Sequence, residues 1–245
     1  VIGSINILEA LRQIEHKCCA VMITSDKCYD NVEWVWGYKE TDRMGGKDIY
    51  SGSKGAADLL IKSYTNSFFS SDDRLVNIGV ARAGNVIGGG DWAKDRIVVD
   101  CVQAWHAGGP VEIRCPEATR PWQHVLEPLS GYLTLGVALW ENNVAQGDTF
   151  NFGPKSEQNR SVLDLIHDLA NEWGFKFAED AYKVTGSLPF NEAGLLKLNC
   201  DKALFKLHWQ PTLSYQETVQ YVGDWYASHY RSADSNMALK TSDQI

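Results

Sequence analysis

A chain of 245 residues with 44% hydrophobic content can bury a substantial core as one large domain or two modest ones, which excludes a disordered protein. Its formal charge of -8 argues against a nucleic-acid or anionic-membrane surface, and no run of 18 apolar residues offers a spanning helix. Six cysteines (Cys18, Cys19, Cys28, Cys101, Cys115 and Cys200) make no C-x-x-C pair and meet no histidine at zinc-finger spacing, so reduced thiols, no disulfide and no metal are expected.

The opening residues are not a signal peptide, having neither its basic region nor its cleavage site, so a soluble, cytoplasmic protein is expected. From Val1 to about Gln13 the stripe Ile2, Ile5, Leu8 and Leu11 reads as a helix already under way. Ala20-Val21-Met22-Ile23 is a short apolar run that predicts a strand buried on both faces. It runs out into Thr24-Ser25-Asp26-Lys27, and in open parallel sheets the ligand crevice lies beyond the carboxyl ends of the strands. A hydroxyl, an acid and an amine therefore gather where chemistry is done. The aromatic loop from Asp30 to Asp48, with Trp34, Trp36 and Tyr38, is longer than a connector needs; it is either functional or a packed surface loop.

From Tyr50 to about Phe69, the residues Ala56, Ala57, Leu60, Ile61, Tyr64 and Phe68 predict an amphipathic helix, with Tyr50 and Lys54 on one face. An ammonium beside a phenol favours the phenolate, so Lys54 makes Tyr50 usable for acid/base work on an alcohol. The spacing alone is usually that of a solvated helix face; the polar turn upstream is what raises it above that. Val76 to Ala81 predicts a second buried strand, followed by Arg82-Ala83-Gly84-Asn85 and the triplet Gly88-Gly89-Gly90, where glycines allow close backbone approach to a ligand.

Arg96 opens a helix closed by Gly108-Gly109-Pro110, and Val111 to Arg114 alternates as a half-buried strand that begins a second lobe. In Thr119-Arg120-Pro121-Trp122-Gln123-His124-Val125, Arg120 taken by itself is more often a surface ion-pair partner than a phosphate ligand, and His124 reads as a structural hydrogen-bonding residue. Leu126 to Trp140 predicts a helix with Leu129, Leu133, Gly136, Val137 and Trp140 inward, and Thr149 to Gly153 a strand returning to the main sheet. Ser161 to Asp164 is a capping box for a helix stopped by Gly174, and the segment after about Arg231 is polar and expected to fray. The fold class that follows is α/β, a doubly wound, Rossmann-like parallel sheet over residues 1–83 with a smaller mixed lobe over 84–231, from which about 125–152 returns to the sheet, and a tail over 232–245.

The run Thr24-Ser25-Asp26-Lys27-Cys28-Tyr29-Asp30, read with Tyr50-Ser51-Gly52-Ser53-Lys54, resembles the extended short-chain dehydrogenase/reductase family. That family's catalytic set is a Ser or Thr after this strand and Tyr-x-x-x-Lys in the next helix, which Ser25, Tyr50 and Lys54 match. An Asp directly after the hydroxyl residue marks its sugar-nucleotide 4,6-dehydratases, and Gly88-Gly89-Gly90-Asp91-Trp92-Ala93 is similar to the branch acting on CDP-glucose. Gly3 to Ala10 resembles the family's Gly-Thr-x-Asn-Leu-Leu-Glu-Ala, so the resemblance runs from residue 1 to about 230. The family's first strand, Gly-rich phosphate turn and ribose-binding acid have no counterpart before Thr24, and a fragment of a longer protein is expected.

The resemblance implies NAD held near Ser25, Tyr50 and Lys54, and a nucleotide sugar met by Asn85 and Arg120, with Arg96 and Arg114 behind them. It implies Tyr50 as the base at carbon 4, Asp26 as the acid for water loss and Lys27 at carbon 5. Relatives acting on dTDP-glucose have Glu at that last position; a free lysine holds its proton at neutral pH, so Lys27 acts as a base only where desolvation or Lys54 strips it, and otherwise steadies an enolate. A homodimer through the opening helix and the Tyr50 helix is also implied. The rivals are a 4-epimerase, which shares Ser25, Tyr50 and Lys54 but needs no acid, a non-catalytic binding protein, and a fragment unable to hold NAD by itself.

Overall fold

A computed structural model of the chain describes residues 1–71, 74–186, 194–231 and 236–245. The chain divides into two compact units, Val1–Gly84 with Glu127–Ser156 and Leu196–Pro211, and Asn85–Leu126 with Glu157–Leu195 and Thr212–Ile245.

The first unit is organised on a three-stranded parallel sheet in the order β1 (Cys18–Ile23), β2 (Val76–Ala83), β7 (Asp148–Phe152), numbered along the chain. β2 is central: it pairs with β1 from Cys18↔Val76 to Ile23↔Ala81 and with β7 from Gly79↔Asp148 to Ala83↔Phe152, and all but its last residue are buried. The predicted burial of β1 on both faces is not met. β1 is half-buried along its length and Ile23 is exposed, because β2 is its only sheet neighbour among the described residues.

Three longer helices and one short one serve this sheet: α1 (Ile2–Leu11), α2 (Ile49–Phe68), α4 (Leu126–Trp140) and α6 (Asp201–Leu207). Leu8 and Leu11 of α1 join Ile61, Phe69, Ile78 and Val80 in one buried cluster. In α2 the buried stripe is Ser51, Gly55, Ala57, Asp58, Ile61 and Thr65, whereas the predicted Ala56 and Phe68 face outward. The inward face is selected by polar partners that hydropathy does not register. In α4, Leu129, Leu133, Val137 and Trp140 are exposed, and Gly131, Leu135, Ala138 and Leu139 go inward instead. This helix is apolar all round, so its period leaves the face open; glycines decide it. A Cβ on Gly131 would lie 2.3 Å from the Phe152 ring, and one on Gly79 3.0 Å from Leu139. Leu196–Pro211, which the sequence places in the second lobe, belongs to the first unit. Tyr38 bridges to Leu198, and Trp209 packs edge-on against Phe152 while its Nε1–H donates to Ser130 Oγ at 2.9 Å.

Among the described residues the second unit holds three two-stranded pairings: β3 (Val86–Ile87) with β6 (Gln123–His124) and β4 (Val111–Ile113) with β9 (Tyr182–Val184), both parallel, and β5 (Thr119–Arg120) antiparallel to β8 (Arg160–Ser161). Its helices are α3 (Ile97–His106), α5 (Val162–Trp173), α7 (Tyr215–Arg231) and α8 (Met237–Ser242). The capping box of Ser161 and Asp164 is present, and Gly174 ends α5 in the left-handed region at φ 94°. Cys101, Val102, Trp105, Leu165, Val222 and Tyr226 lie in its core.

Two expectations change here. The glycine triplet serves packing: a Cβ on Gly89 would sit 2.1 Å from the Trp225 indole, and the Tyr226 hydroxyl donates to the Asp91 carbonyl at 2.7 Å. The approach these glycines allow is that of α7. The end of the chain is also ordered, with Asn236 capping α8 and Trp225 Nε1–H donating to Thr241 Oγ1 at 2.9 Å, which a merely polar composition does not reveal; residues 232–235 of the expected tail lie outside the described residues. Among the described residues no helix is long and apolar enough to cross a membrane, and no cluster has the makings of a metal site.

Candidate active site

β1 ends where Thr24 N–H donates to the Ala81 carbonyl at 2.8 Å. Ser25 then turns the chain into a single 3-10 turn, Asp26–Cys28: its Oγ accepts from Lys27 N–H at 3.2 Å and donates to Asp26 Oδ1 at 3.0 Å. Asp26 is 2% exposed and lies over Gly84, where a Cβ would come within 2.0 Å of the carboxyl. The glycine just after β2 is thus the space in which the acid sits. The turn is pressed onto α2 backbone to backbone, since a Cβ on Gly55 would meet the Cys28 carbonyl at 3.2 Å. Burial pushes the Cys28 thiol up to about 12, so it stays an inert packing group.

α2 starts at the other side of this contact. Asp48 caps it, accepting from Ser51 N–H at 2.9 Å and Ser51 Oγ at 2.6 Å, and these bonds hold its carboxyl below the ordinary range, with nearby Lys27 adding to the effect. Tyr50 is 56% exposed, and Lys54 Nζ lies 5.6 Å from the centre of its ring. Ser25, Asp26 and Lys27 therefore stand on one segment and Tyr50 and Lys54 on another, with the two segments packed together.

Behind them runs a buried polar network that sequence reasoning missed. Asp58, on α2, accepts from Thr24 Oγ1 at 2.9 Å and from Arg82 at 2.8 and 2.6 Å. Arg82 Nη1 donates to the Tyr29 hydroxyl at 2.8 Å, Tyr29 donates to Asn151 Oδ1 at 2.7 Å, and Asn151 N–H donates to Glu40 Oε1 at 2.9 Å. Burial alone would lower the Arg82 pKa; the hydrogen-bonded Asp58 carboxylate outweighs it and holds it above its ordinary value. Burial raises the Tyr29 phenol and the Glu40 carboxyl. One signal was available: an Asp on the stripe Ser51, Gly55, Asp58, Ile61 has to find a cation once that stripe turns inward.

The remaining candidates lie in the second unit. Asn85 is left-handed at φ 52°, and its carbonyl accepts from Gln123 N–H at 3.2 Å. Arg120 is buried in β5 with Nη1 donating to the Thr119 carbonyl at 2.8 Å, and the Arg120 carbonyl accepts from Trp122 N–H at 3.0 Å. The backbone of residues 120–123 thus links Asn85 to Arg120, while Arg96 is exposed at the start of α3 and Arg114 is exposed after β4.

His124 is buried, its Nδ1 accepting from Leu126 N–H at 3.3 Å where α4 begins, and burial lowers its pKa to about 4 from an ordinary 6.5. The unfolded chain then binds a proton between those values that the folded chain refuses, so stability present above pH 6.5 is lost as pH falls toward 4. The loss expected is on the order of 3 kcal/mol. Urea unfolding across that range checks it, with His124→Asn, which keeps an acceptor for Leu126, expected to flatten the curve.

The matches to known proteins span both units. A family model described as GDP-mannose 4,6 dehydratase covers residues 1–222. CDP-glucose 4,6-dehydratase of Salmonella typhimurium is 42% identical over 244 residues, 98% of this chain and 67% of that protein. The chain belongs to the GDP-mannose 4,6-dehydratase family. It is thereby a member of the extended short-chain dehydrogenase/reductases, as the motifs at Ser25 and Tyr50 imply. CDP-paratose 2-epimerase of Salmonella typhi is 26% identical, over 92% of this chain and 70% of that protein. Among solved structures, the dTDP-glucose 4,6-dehydratase of Bacillus anthracis in complex with NAD superposes with a TM-score of 0.76 at 18% identity, over 92% of this chain and 66% of that one. That likeness shows the Rossmann-like α/β fold of the family. The chain spans about two thirds of the length of these relatives.

Proposed function

We propose that the protein is an NAD-dependent sugar-nucleotide 4,6-dehydratase that converts CDP-glucose to CDP-4-keto-6-deoxyglucose. The observation that carries this reading is the 42% identity to a CDP-glucose 4,6-dehydratase, sustained over 98% of the chain. The residues of the first unit fit the cofactor: a half-exposed phenol, an ammonium beside it and a hydroxyl at a strand end match the sugar hydroxyls and nicotinamide of a dinucleotide. Ser25, Tyr50 and Lys54 would hold it. Bound NAD supplies the uptake of hydride at carbon 4 and its return to carbon 6.

The protein's side chains handle the protons. Tyr50, beside the Lys54 ammonium, takes the proton of the carbon 4 hydroxyl, and Ser25 holds that oxygen. The resulting ketone acidifies the carbon 5 proton, which Lys27 removes or whose enolate it steadies. Asp26 protonates the hydroxyl leaving carbon 6; a carboxyl packed on Gly84 and bonded to Ser25 is held away from bulk water for that step. A 4-epimerase has no use for an acid there. Asn85, Arg120 and Arg96 are assigned to the sugar diphosphate, so that residues 1–83 carry the cofactor chemistry and most of 84–231 the substrate. A homodimer is part of the proposal, supported by the exposed Ile2 and Ile7 of α1 and Leu59 and Phe68 of α2, as is a cytoplasmic location.

The test is incubation of full-length protein with CDP-glucose and NAD. A 4-keto-6-deoxy product supports the reading; a product epimerised at carbon 4 contradicts it. UDP-glucose and dTDP-glucose in parallel test the base.

A further inference from the structure

Asp58 follows Lys54 by one helical turn and Tyr50 by two, yet it is 1% exposed. Its two oxygens receive three hydrogen bonds: Thr24 Oγ1 at 2.9 Å and Arg82 Nε at 2.8 Å on Oδ2, and Arg82 Nη2 at 2.6 Å on Oδ1. Thr24 is the residue before Ser25, and Arg82 stands two before Gly84, the seat of the Asp26 carboxyl. One carboxylate therefore ties the helix that carries the phenol and ammonium to the end of β1, which carries the hydroxyl and the acid, and to the end of β2, over which the acid is seated. Bidentate Arg–carboxylate geometry fixes direction as well as distance. Stability alone does not call for such a pair, because apolar residues of similar volume do as well or better in a core.

We infer that Asp58, acting through Thr24 and Arg82, is a positioning residue that sets Ser25 and Asp26 against Tyr50 and Lys54; its bearing on turnover rests on the dehydratase reading. Thr24→Val removes the hydroxyl link at constant shape and leaves the Asp58–Arg82 pair whole, whereas Thr24→Ser keeps the link. In full-length protein, Thr24→Val lowers kcat for CDP-glucose about 10- to 100-fold, the usual cost of a small misplacement. KM stays within about twofold, because substrate binding is not what the link serves. Thr24→Ser restores most of kcat. Hydrogen exchange of amides 24–28 quickens in Thr24→Val, with the core strands unchanged.

An unchanged kcat together with unchanged exchange in Thr24→Val overturns the inference, as does a kcat loss that Thr24→Ser shares. Should the unaltered protein fail to turn over CDP-glucose, the dehydratase reading falls by itself. Exchange at 24–28 then decides the tether: faster in Thr24→Val upholds it, unchanged removes it.

Discussion

Asp26→Asn lowers formation of the 4-keto-6-deoxy product about 10²- to 10⁴-fold, the ordinary contribution of one positioned general acid. The substitution is isosteric, so the seat over Gly84 and the bond from Ser25 at 3.0 Å accommodate it without repacking. What is lost is the proton for the departing hydroxyl. On the proposed roles, oxidation at carbon 4 rests with Tyr50 and Lys54 and continues, so the variant is expected to accumulate reduced cofactor that absorbance follows directly. Gly84→Ala makes the same point through space: its methyl would fall 2.0 Å from the Asp26 carboxyl, which must leave its seat. Product formation at the original rate in both variants would remove Asp26 from the reaction.

The second large effect concerns stability. Arg82→Met strands the Asp58 carboxylate in a site where it is 1% exposed, and breaking a buried pair from one side costs about 3–5 kcal/mol. Urea unfolding should show a fall of that size, and Arg82→Met with Asp58→Leu should recover most of it, since no charge is then left buried. The double variant still lacks the tether from Thr24, so its turnover stays low while its stability returns. A single variant within about 1 kcal/mol of the original protein would mean that water or another group satisfies Asp58.

Particular residues show how far the sequence reaches. Several elements are legible because each has a local cause: β-branched residues in β2, the Ser161–Asp164 box ahead of α5, and a polar run directly after β1. Faces were less legible. α4 is apolar on every side, and its orientation is set by Gly131 and Gly79, whose partners Phe152 and Leu139 are remote in the chain. α2 turns a polar stripe inward because Asp58 has Arg82 to meet, a pairing 24 residues apart that no period announces. For the site, Ser25, Asp26, Tyr50 and Lys54 are readable as residue types at known spacing. The room that Gly84 makes for Asp26 is a tertiary fact, as is the commitment of Gly88 and Gly89 to Val125 and Trp225.

The proposed reaction is a single sequence of events on one hexose: oxidation at carbon 4, loss of water across carbons 5 and 6, and return of the same hydride to carbon 6. CDP-glucose carrying deuterium at carbon 4, converted by the full-length protein in ordinary water, tests it most directly. Mass and NMR analysis of the product should find the deuterium on carbon 6 of the same molecule, and unlabelled CDP-glucose converted in deuterium oxide should carry a solvent deuteron at carbon 5. Deuterium that remains at carbon 4 of an inverted sugar, or that leaves to solvent, would contradict it.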